Sequence, residues 1–193
     1  MNASYMLNKE ELEQIVNITR VAVIGRTVSA LETLLNESIE CENITAINFT
    51  HELLDKISTN NICSVYIRCK GDLYLASLLM LDTNEAKSIA SKMIGTDVNT
   101  LDELSRSAIS ELGNILLVGS FINTLANIAE FRIECSAPGF TIEAQRAIIE
   151  YVLADYQMDS AVLVYVTLLR KETNSRIHIK LLINVMEAKK LLA

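Results

Sequence analysis

The chain has 193 residues, of which 50% are hydrophobic, 21% charged and 5% aromatic. It can therefore bury a sizeable core, built mainly from aliphatic side chains, in one large domain or in two small joined ones. The net charge of −7 argues against nucleic-acid binding, where Lys and Arg must meet phosphates, and is compatible with a protein partner.

Membrane attachment and metal binding are not expected from the sequence. No run of about 18 apolar residues is free of charge, and the start "MNASYMLNKEELEQI" lacks the apolar stretch of a signal peptide. The cysteines form no Cys-x-x-Cys pair, so we interpret them as buried reduced thiols of a cytoplasmic protein rather than metal ligands. The cysteines are Cys41, Cys63, Cys69 and Cys135.

The first half of the chain predicts a helix, a strand, a short helix, a β-hairpin and a helix. In that order they span 8–36, 38–49, 51–58, 62–81 and 84–95. Asn8 is a candidate N-cap, Gly71-Asp72 is the hairpin turn, and Gly95 ends the last helix.

The second half predicts the same order of elements. They are a long helix at 100–130, the strand "FRIECS", a helix at 141–157, a hairpin at 161–185 and a short final helix. The long helix begins near Thr100 or Asp102. Because hairpins dominate, this α/β fold should contain a mixed or antiparallel sheet packed with long helices.

An internal repeat supports this interpretation. "VIGRTVSALETLLNESIEC" (23–41) aligns with "LVGSFINTLANIAEFRIEC" (117–135), and "LLMLDTNEAKSI" (78–89) resembles "LLINVMEAKKLL" (181–192) at a larger offset. We therefore predict a single domain made of two pseudo-symmetric halves, 8–95 and 100–193. Chance similarity between amphipathic helices followed by strands is the alternative.

Three polar residues share one face of the second long helix. At about 100° per residue, Ser107, Glu111 and Asn114 fall within a narrow sector, while Ile109, Leu112 and Leu116 point elsewhere. Unpaired polar groups are costly to bury, so this face must meet water or a partner. An ordinary solvated helix face would look the same.

The segment "DELSRSAISELGNIL" (102–116) closely resembles the active-site helix of the CheC/CheX/FliY family, phosphatases of the phosphorylated chemotaxis response regulator CheY. The family pattern is matched by Ser107, Glu111, Asn114 and a later Pro138. The resemblance covers nearly the whole chain, because CheC-type members also consist of two pseudo-symmetric halves.

The resemblance implies a role for each of these residues. Asn114 would hold the attacking water in line with the aspartyl phosphate, and Glu111 would pair with the receiver's active-site lysine. Ser107 would face the rim of the interface, whereas Pro138 is interpreted as fixing a strand end. The chain would need no cofactor of its own, since Mg²⁺ is expected on the receiver.

The sequence departs from the family pattern at one place. One extra residue follows Asn114 before the next small residues, and Pro138 is displaced equally. We expect "LLVGS" (116–120) to absorb the extra residue as a helical bulge.

The first half is predicted to lack a site. Aligning the halves places Glu111 on Asn17 and Asn114 on Arg20, and sliding the register gives at best Gln14 with Asn17. A cation at position 20 would also repel the receiver's lysine, so we expect one catalytic site.

Two other functions stay open at this point. The chain could be a non-catalytic adaptor that binds phosphorylated CheY, the receptor deamidase CheD, or both. It could also be an unrelated two-half scaffold. Because two fused halves already complete the fold, a monomer is the simplest expectation.

Overall fold

The computed structural model describes residues 6–192. Its first long helix runs from Lys9 to Leu35 and consists of α1 (Lys9–Ala22), a π-helical segment (Val23–Thr27) and α2 (Val28–Leu35). Asn8 caps it as predicted: its side chain accepts from the N–H of Glu11, whose carboxylate accepts from the N–H of Asn8.

The remaining elements of the first half occur in the predicted order. They are β1 (Ile39–Thr50), a 3₁₀ helix (His51–Lys56), β2 (Asn61–Gly71), β3 (Leu75–Leu81) and α3 (Thr83–Ile94). Gly95 ends α3 with a φ of 81°, and Gly71 has a φ of 121° at the hairpin turn. Both are conformations that favour glycine.

The second long helix runs from Glu103 to Ala129. It consists of α4 (Glu103–Gly113), a second π-helical segment (Asn114–Ile122) and α5 (Asn123–Ala129). The later elements are β4 (Ile133–Cys135), β5 (Gly139–Ala144), α6 (Gln145–Asp155), β6 (Ser160–Arg170), β7 (Ser175–Asn184) and α7 (Val185–Lys190).

The prediction of a helix over 141–157 is wrong for its first four residues. Residues Gly139–Ala144 form β5, and the helix begins only at Gln145. Phe140, Ile142 and Ala144 alternate with Thr141 and Glu143, which is the spacing of a strand. Pairing with β2 satisfies the backbone of this segment.

Across residues 6–192, seven strands form one antiparallel sheet in the order β1-β6-β7-β3-β2, with β4 and β5 both pairing with the outer side of β2. The predicted antiparallel α/β fold is therefore confirmed. Strands of each half pair with the hairpin of the other half: β1 pairs with β6, and the first two strands of the second half, β4 and β5, pair with β2. The halves cannot separate without breaking these ladders.

Apolar clusters cover both faces of the sheet. The two long helices, α3 and α7 pack on one face, while α6 and the 3₁₀ helix pack on the other. By length and composition the second long helix could cross a membrane, but 44% of its most apolar window is buried inside the protein. Its apolar residues Leu112, Leu116 and Phe121 are fully buried, as in the core helix of a folded domain.

Candidate active site

The second long helix is fixed at its start by Asp102. The Asp102 carboxylate accepts hydrogen bonds from the backbone N–H of Ser105 at 2.9 Å and from the Ser105 hydroxyl at 2.7 Å. These bonds lower the pKa of Asp102, because they favour its ionised form. Asp102, one of the two predicted starts, therefore holds the helix in one register two turns before Glu111.

Ser107, Glu111 and Asn114 lie together on one face of this helix. Ser107 and Glu111 are exposed, and Asn114 is half-buried. Within residues 6–192 the side chains of all three lack hydrogen bonds or ion pairs to other protein groups. Their donors and acceptors therefore face solvent and are available to another molecule.

Asn114 stands where α4 changes into the π-helical segment. Its N–H is shared between the carbonyls of Glu111 and Ser110, and the wider turn continues to Ile122. The Ser120 hydroxyl donates to the Ile115 carbonyl five residues earlier, at 3.0 Å. The predicted helical bulge after Asn114 is thus confirmed, and it is of the π type, which accommodates an added residue within a continuous helix.

Close packing beneath Asn114 fixes the position of its backbone. A Cβ atom added to Gly113 would lie 2.5 Å from Val65 Cγ1 on β2, so only glycine allows the helix to approach the sheet this closely. Leu112, which precedes Gly113 in the chain, is also fully buried. The amide of Asn114 therefore extends from a backbone that the core holds on its inner side.

One apolar neighbour was not identified from the sequence. Leu104 is 61% exposed and lies one turn before Ser107 on the same helix face. With Asp102, Glu103 and Ser107 it borders a surface depression of about 450 Å³. The sequence does contain a sign of it: a large apolar residue lies three positions before Ser107, where a helix face exposed to solvent would normally carry a polar residue.

The first long helix presents a different face. Gln14, Asn17 and Arg20 are exposed, and the Arg20 guanidinium donates to the side chain of Asn17 at 3.2 Å. Val21 and Ile24 beside them are 58% and 55% exposed. Acidic residues are exposed on this face as well, but a glutamate followed three residues later by an asparagine, the spacing of Glu111 and Asn114, is absent from the first long helix.

Pro138 lies between β4 and β5. Proline has no backbone N–H to donate, and the ladder to β2 is interrupted there: β4 pairs with residues 69–71, and β5 pairs with residues 61–66. This location fits its interpretation as a residue that fixes a strand end.

Among residues 6–192, clusters of three or more His, Cys, Asp or Glu side chains able to hold a metal ion are absent. The four cysteines are free thiols. Cys63 and Cys69 are buried as expected, but Cys41 and Cys135 are only half-buried, because each lies on the first strand of its half, near an edge of the sheet.

Sequence comparison identifies relatives of the chain. The model of the CheC-like family matches residues 104–142, which include the polar helix face. The chain is 30% identical over 150 residues to the CheY-P phosphatase CheC of Bacillus subtilis (strain 168), and the match covers 73% of this chain and 71% of that protein.

Solved structures share the fold. Thermotoga maritima FliY superimposes with a TM-score of 0.71 at 22% identity, covering 96% of each chain. CheX in the CheX-CheY-BeF3-Mg²⁺ complex from Borrelia burgdorferi gives 0.57 at 18% identity, covering 88% of this chain and 97% of that one. These structures share the fold, and the 30% identity to CheC over more than two thirds of each chain shows that the protein belongs to the CheC family.

Proposed function

We propose that this protein is a chemotaxis phosphatase that hydrolyses the aspartyl phosphate of a CheY-type response regulator, with Asn114 and Glu111 as its working residues. Its 30% identity to a CheY-P phosphatase supports the reaction class. The observation that carries the residue assignment is the polar face of exposed Ser107 and Glu111 and half-buried Asn114, which lack intramolecular partners among residues 6–192, on a helix packed closely against the sheet.

Asn114 would position the attacking water. A carboxamide can donate a hydrogen bond to a water and accept one from it, which orients that water toward the phosphorus atom. Phosphoryl transfer passes through a loose transition state, so orientation contributes more than removal of a proton. The packing of Gly113 on Val65 suits this role, because a backbone held in place keeps the amide at a constant depth in the receiver's site.

Glu111 would dock the receiver. Its carboxylate lies one turn before Asn114 on the same face and has no cation among the described residues to neutralise it. An ammonium group in the receiver's active site would supply the missing charge, and the pair would strengthen as docking excludes water. The receiver is also expected to hold the Mg²⁺ that shields the phosphoryl oxygens, so no metal on this chain is needed.

Leu104 and Ser107 would complete the docking face. Burying an exposed leucine contributes roughly 1.5–3 kcal/mol, and the depression beside Leu104 and Ser107 leaves room for a partner side chain. Ser107 would lie at the rim of this contact. The negative net charge of the chain also favours a receiver surface that presents cations.

One site is proposed rather than two. The matching face of the first helix carries Arg20 bonded to Asn17, so the amide is already engaged and a cation faces the incoming lysine. The exposed Gln14 does not provide the missing carboxylate. Turnover should therefore depend on the second half alone.

The lifetime of phosphorylated CheY from the same organism, with Mg²⁺ present, tests this proposal. Wild-type protein should shorten the lifetime, and the double variant Glu111→Ala/Asn114→Ala should not. Circular dichroism and thermal unfolding of the variant should match the wild type, because both side chains are at least partly exposed. A variant that still shortens the lifetime would contradict the assignment.

An adaptor that binds without hydrolysis is the second candidate, favoured by the altered first half. It predicts that phosphorylated CheY, CheD or both bind the protein while the phosphoryl lifetime stays unchanged. A binding measurement made beside the lifetime measurement, using a CheY variant that cannot be phosphorylated as the control, separates the two functions.

A further inference from the structure

The structure places two thiols against each other at the edge of the sheet. Cys69 on β2 and Cys135 on β4 are direct partners in the antiparallel pairing, and their Sγ atoms are 3.4 Å apart. They come from opposite halves of the chain, and no spacing of the two residues along the sequence signals their meeting.

The hydrogen bonds around Cys69 define the geometry of the pair. The Cys69 N–H donates to the Tyr156 hydroxyl at 3.2 Å, and that hydroxyl donates to the Leu75 carbonyl on β3 at 2.7 Å. The N–H and carbonyl of Cys69 therefore point toward β3. The carbonyl of the preceding residue, Arg68, points the other way and accepts a hydrogen bond from the Ser136 N–H at 2.8 Å. Cys69 and Cys135 consequently form a non-hydrogen-bonded pair, the type that brings opposite side chains closest.

This geometry is compatible with a disulfide bond. Non-hydrogen-bonded partners have Cα atoms about 4.5 Å apart, within the range of about 4.4–6.8 Å that disulfides span. The two sulfur atoms need only approach from contact distance to a bond of about 2.05 Å. Side-chain rotation can supply this movement without displacing either strand.

Solvent reaches the pair through a surface cavity of about 700 Å³. Both cysteines line it, together with Arg68, Lys70 and Tyr156. Cys135 is half-buried whereas Cys69 is fully buried, so Cys135 meets a small oxidant first. The hydrogen bond from Cys69 also lowers the pKa of Cys135, while the same contact and burial raise the pKa of Cys69.

We propose that Cys69 and Cys135 are a peroxide-sensitive thiol pair that closes to a reversible disulfide between β2 and β4. The Cys135 thiolate attacks one oxygen of hydrogen peroxide, the O–O bond breaks, and the released hydroxide takes up a proton to become water. The resulting sulfenic acid is attacked by the Cys69 sulfur, the S–O bond breaks, and a second water leaves with the proton of Cys69. Two thiols and one peroxide thus give one disulfide and two waters.

Peroxide treatment of the folded full-length protein tests the proposal. Remaining thiols are alkylated and the tryptic peptides are examined by mass spectrometry. Trypsin cuts after Arg68 and Lys70 and after Arg132 and Arg146, so the disulfide appears as one cross-linked peptide pair. We expect this pair to form first, Cys41 and Cys63 to remain alkylated, and a dithiol reductant to restore all thiols.

Variants make the test specific. Cys41→Ser is the matched control, because Cys41 is also half-buried on the first strand of its half but lies opposite Leu168. It should leave the cross-link unchanged, whereas Cys69→Ser should halt Cys135 at a sulfenic acid that a dimedone reagent traps. The proposal is overturned if Cys41 or Cys63 of the wild type is oxidised first, or if the disulfide links two chains.

Discussion

The two long helices of this protein share their buried side and differ on their outer side. Both contain a π-helical segment between two α-helical parts, both pack against the sheet, and both end at a residue with positive φ, Asn36 at 51° and Glu130 at 55°. Among residues 6–192, only the second long helix carries a glutamate followed three residues later by an asparagine, both without intramolecular partners. The core thus constrains the inner side, while the solvent side is free to acquire or lose a site.

The largest expected effect concerns the residues just after the end of each long helix. After the first helix comes Glu37, which is buried and accepts two bonds from Arg170 at 2.6 and 2.8 Å, while Arg170 also donates to Glu85 at 2.7 Å. At the matching place after the second helix stands Phe131, half-buried among apolar groups. The two helix ends are therefore secured by different interactions.

Arg170→Met should destabilise the protein by about 3–5 kcal/mol, because it leaves two buried carboxylates without their guanidinium. Chemical denaturation gives the free energy of unfolding. Arg176→Met is the matched control on the same hairpin. Its exposed pair with Glu42 should contribute less than about 1 kcal/mol. Similar losses in the two variants would show that the buried cluster does not secure the first helix end.

The same cluster predicts an acid dependence of stability. The hydrogen bonds from Arg170 hold the pKa of Glu37 below its ordinary value of 4.5, despite the opposing effect of burial. A group whose pKa is lowered by folding contributes stability above its unfolded pKa, and that contribution is lost as the pH falls through its folded pKa. Between about pH 5 and about pH 3, the wild type should lose more free energy of unfolding than Arg170→Met, in which the pKa of Glu37 is higher. Parallel losses would contradict this.

The next largest expected effect is a loss of phosphatase rate from a change on the outer side of the second helix. Asn114→Ala should return the phosphorylated CheY lifetime to its value without the phosphatase. A loss of about 100-fold in rate corresponds to about 2.7 kcal/mol of transition-state stabilisation. Asn17→Ala is the control, because it removes an exposed amide from the corresponding face of the first helix. That variant should retain the full rate, and equal losses would mean that both halves act.

The close approach of the second helix to the sheet provides a fourth test. Gly113→Ala should destabilise the protein by roughly 1–3 kcal/mol, because its Cβ would meet Val65 at 2.5 Å. The rate should also fall, since Asn114 would move with the helix. Gly25→Ala in the first helix meets nothing within 4 Å and should stabilise by up to about 1 kcal/mol. A Gly113→Ala variant with native stability and rate would show that the contact does not position the amide.

Local signals explain why some features could be predicted from the sequence. Asn8, Asp102 and Gly95 bound helices through hydrogen bonds or backbone angles that involve only neighbouring residues, so residue type and spacing were sufficient. The same holds for the polar helix face, whose three residues recur with the helical period. These features depend on the period of the helix and little on the rest of the molecule.

Long-range pairing explains why other features could not be predicted. The first strand of each half pairs with the hairpin of the other half, and β5 is held by its ladder to β2, so a local helical pattern misassigned its first residues. The meeting of Cys69 with Cys135 results from this exchange of strands. Arg170 likewise reaches Glu37 only because β6 lies beside β1.

The smallest expected effect comes from rebuilding the site in the first helix. Asn17→Glu with Arg20→Asn, made in the Asn114→Ala background, creates the acid-amide spacing on a face that already contains a π-helical segment after it. We expect a regain on the order of tenfold in the rate of CheY dephosphorylation, because the groups are restored but their supporting contacts are not. The first helix has Val21 and Ile24 exposed beside the new pair, and it has neither Leu104 nor the adjoining depression.

Adding only Arg20→Asn serves as the control, and it should give no regain of rate, since the docking carboxylate is still missing. A full return of the rate would mean that the two side chains alone define the site, and no return would mean that Leu104 and the backbone position set by Gly113 contribute as much as the acid and the amide.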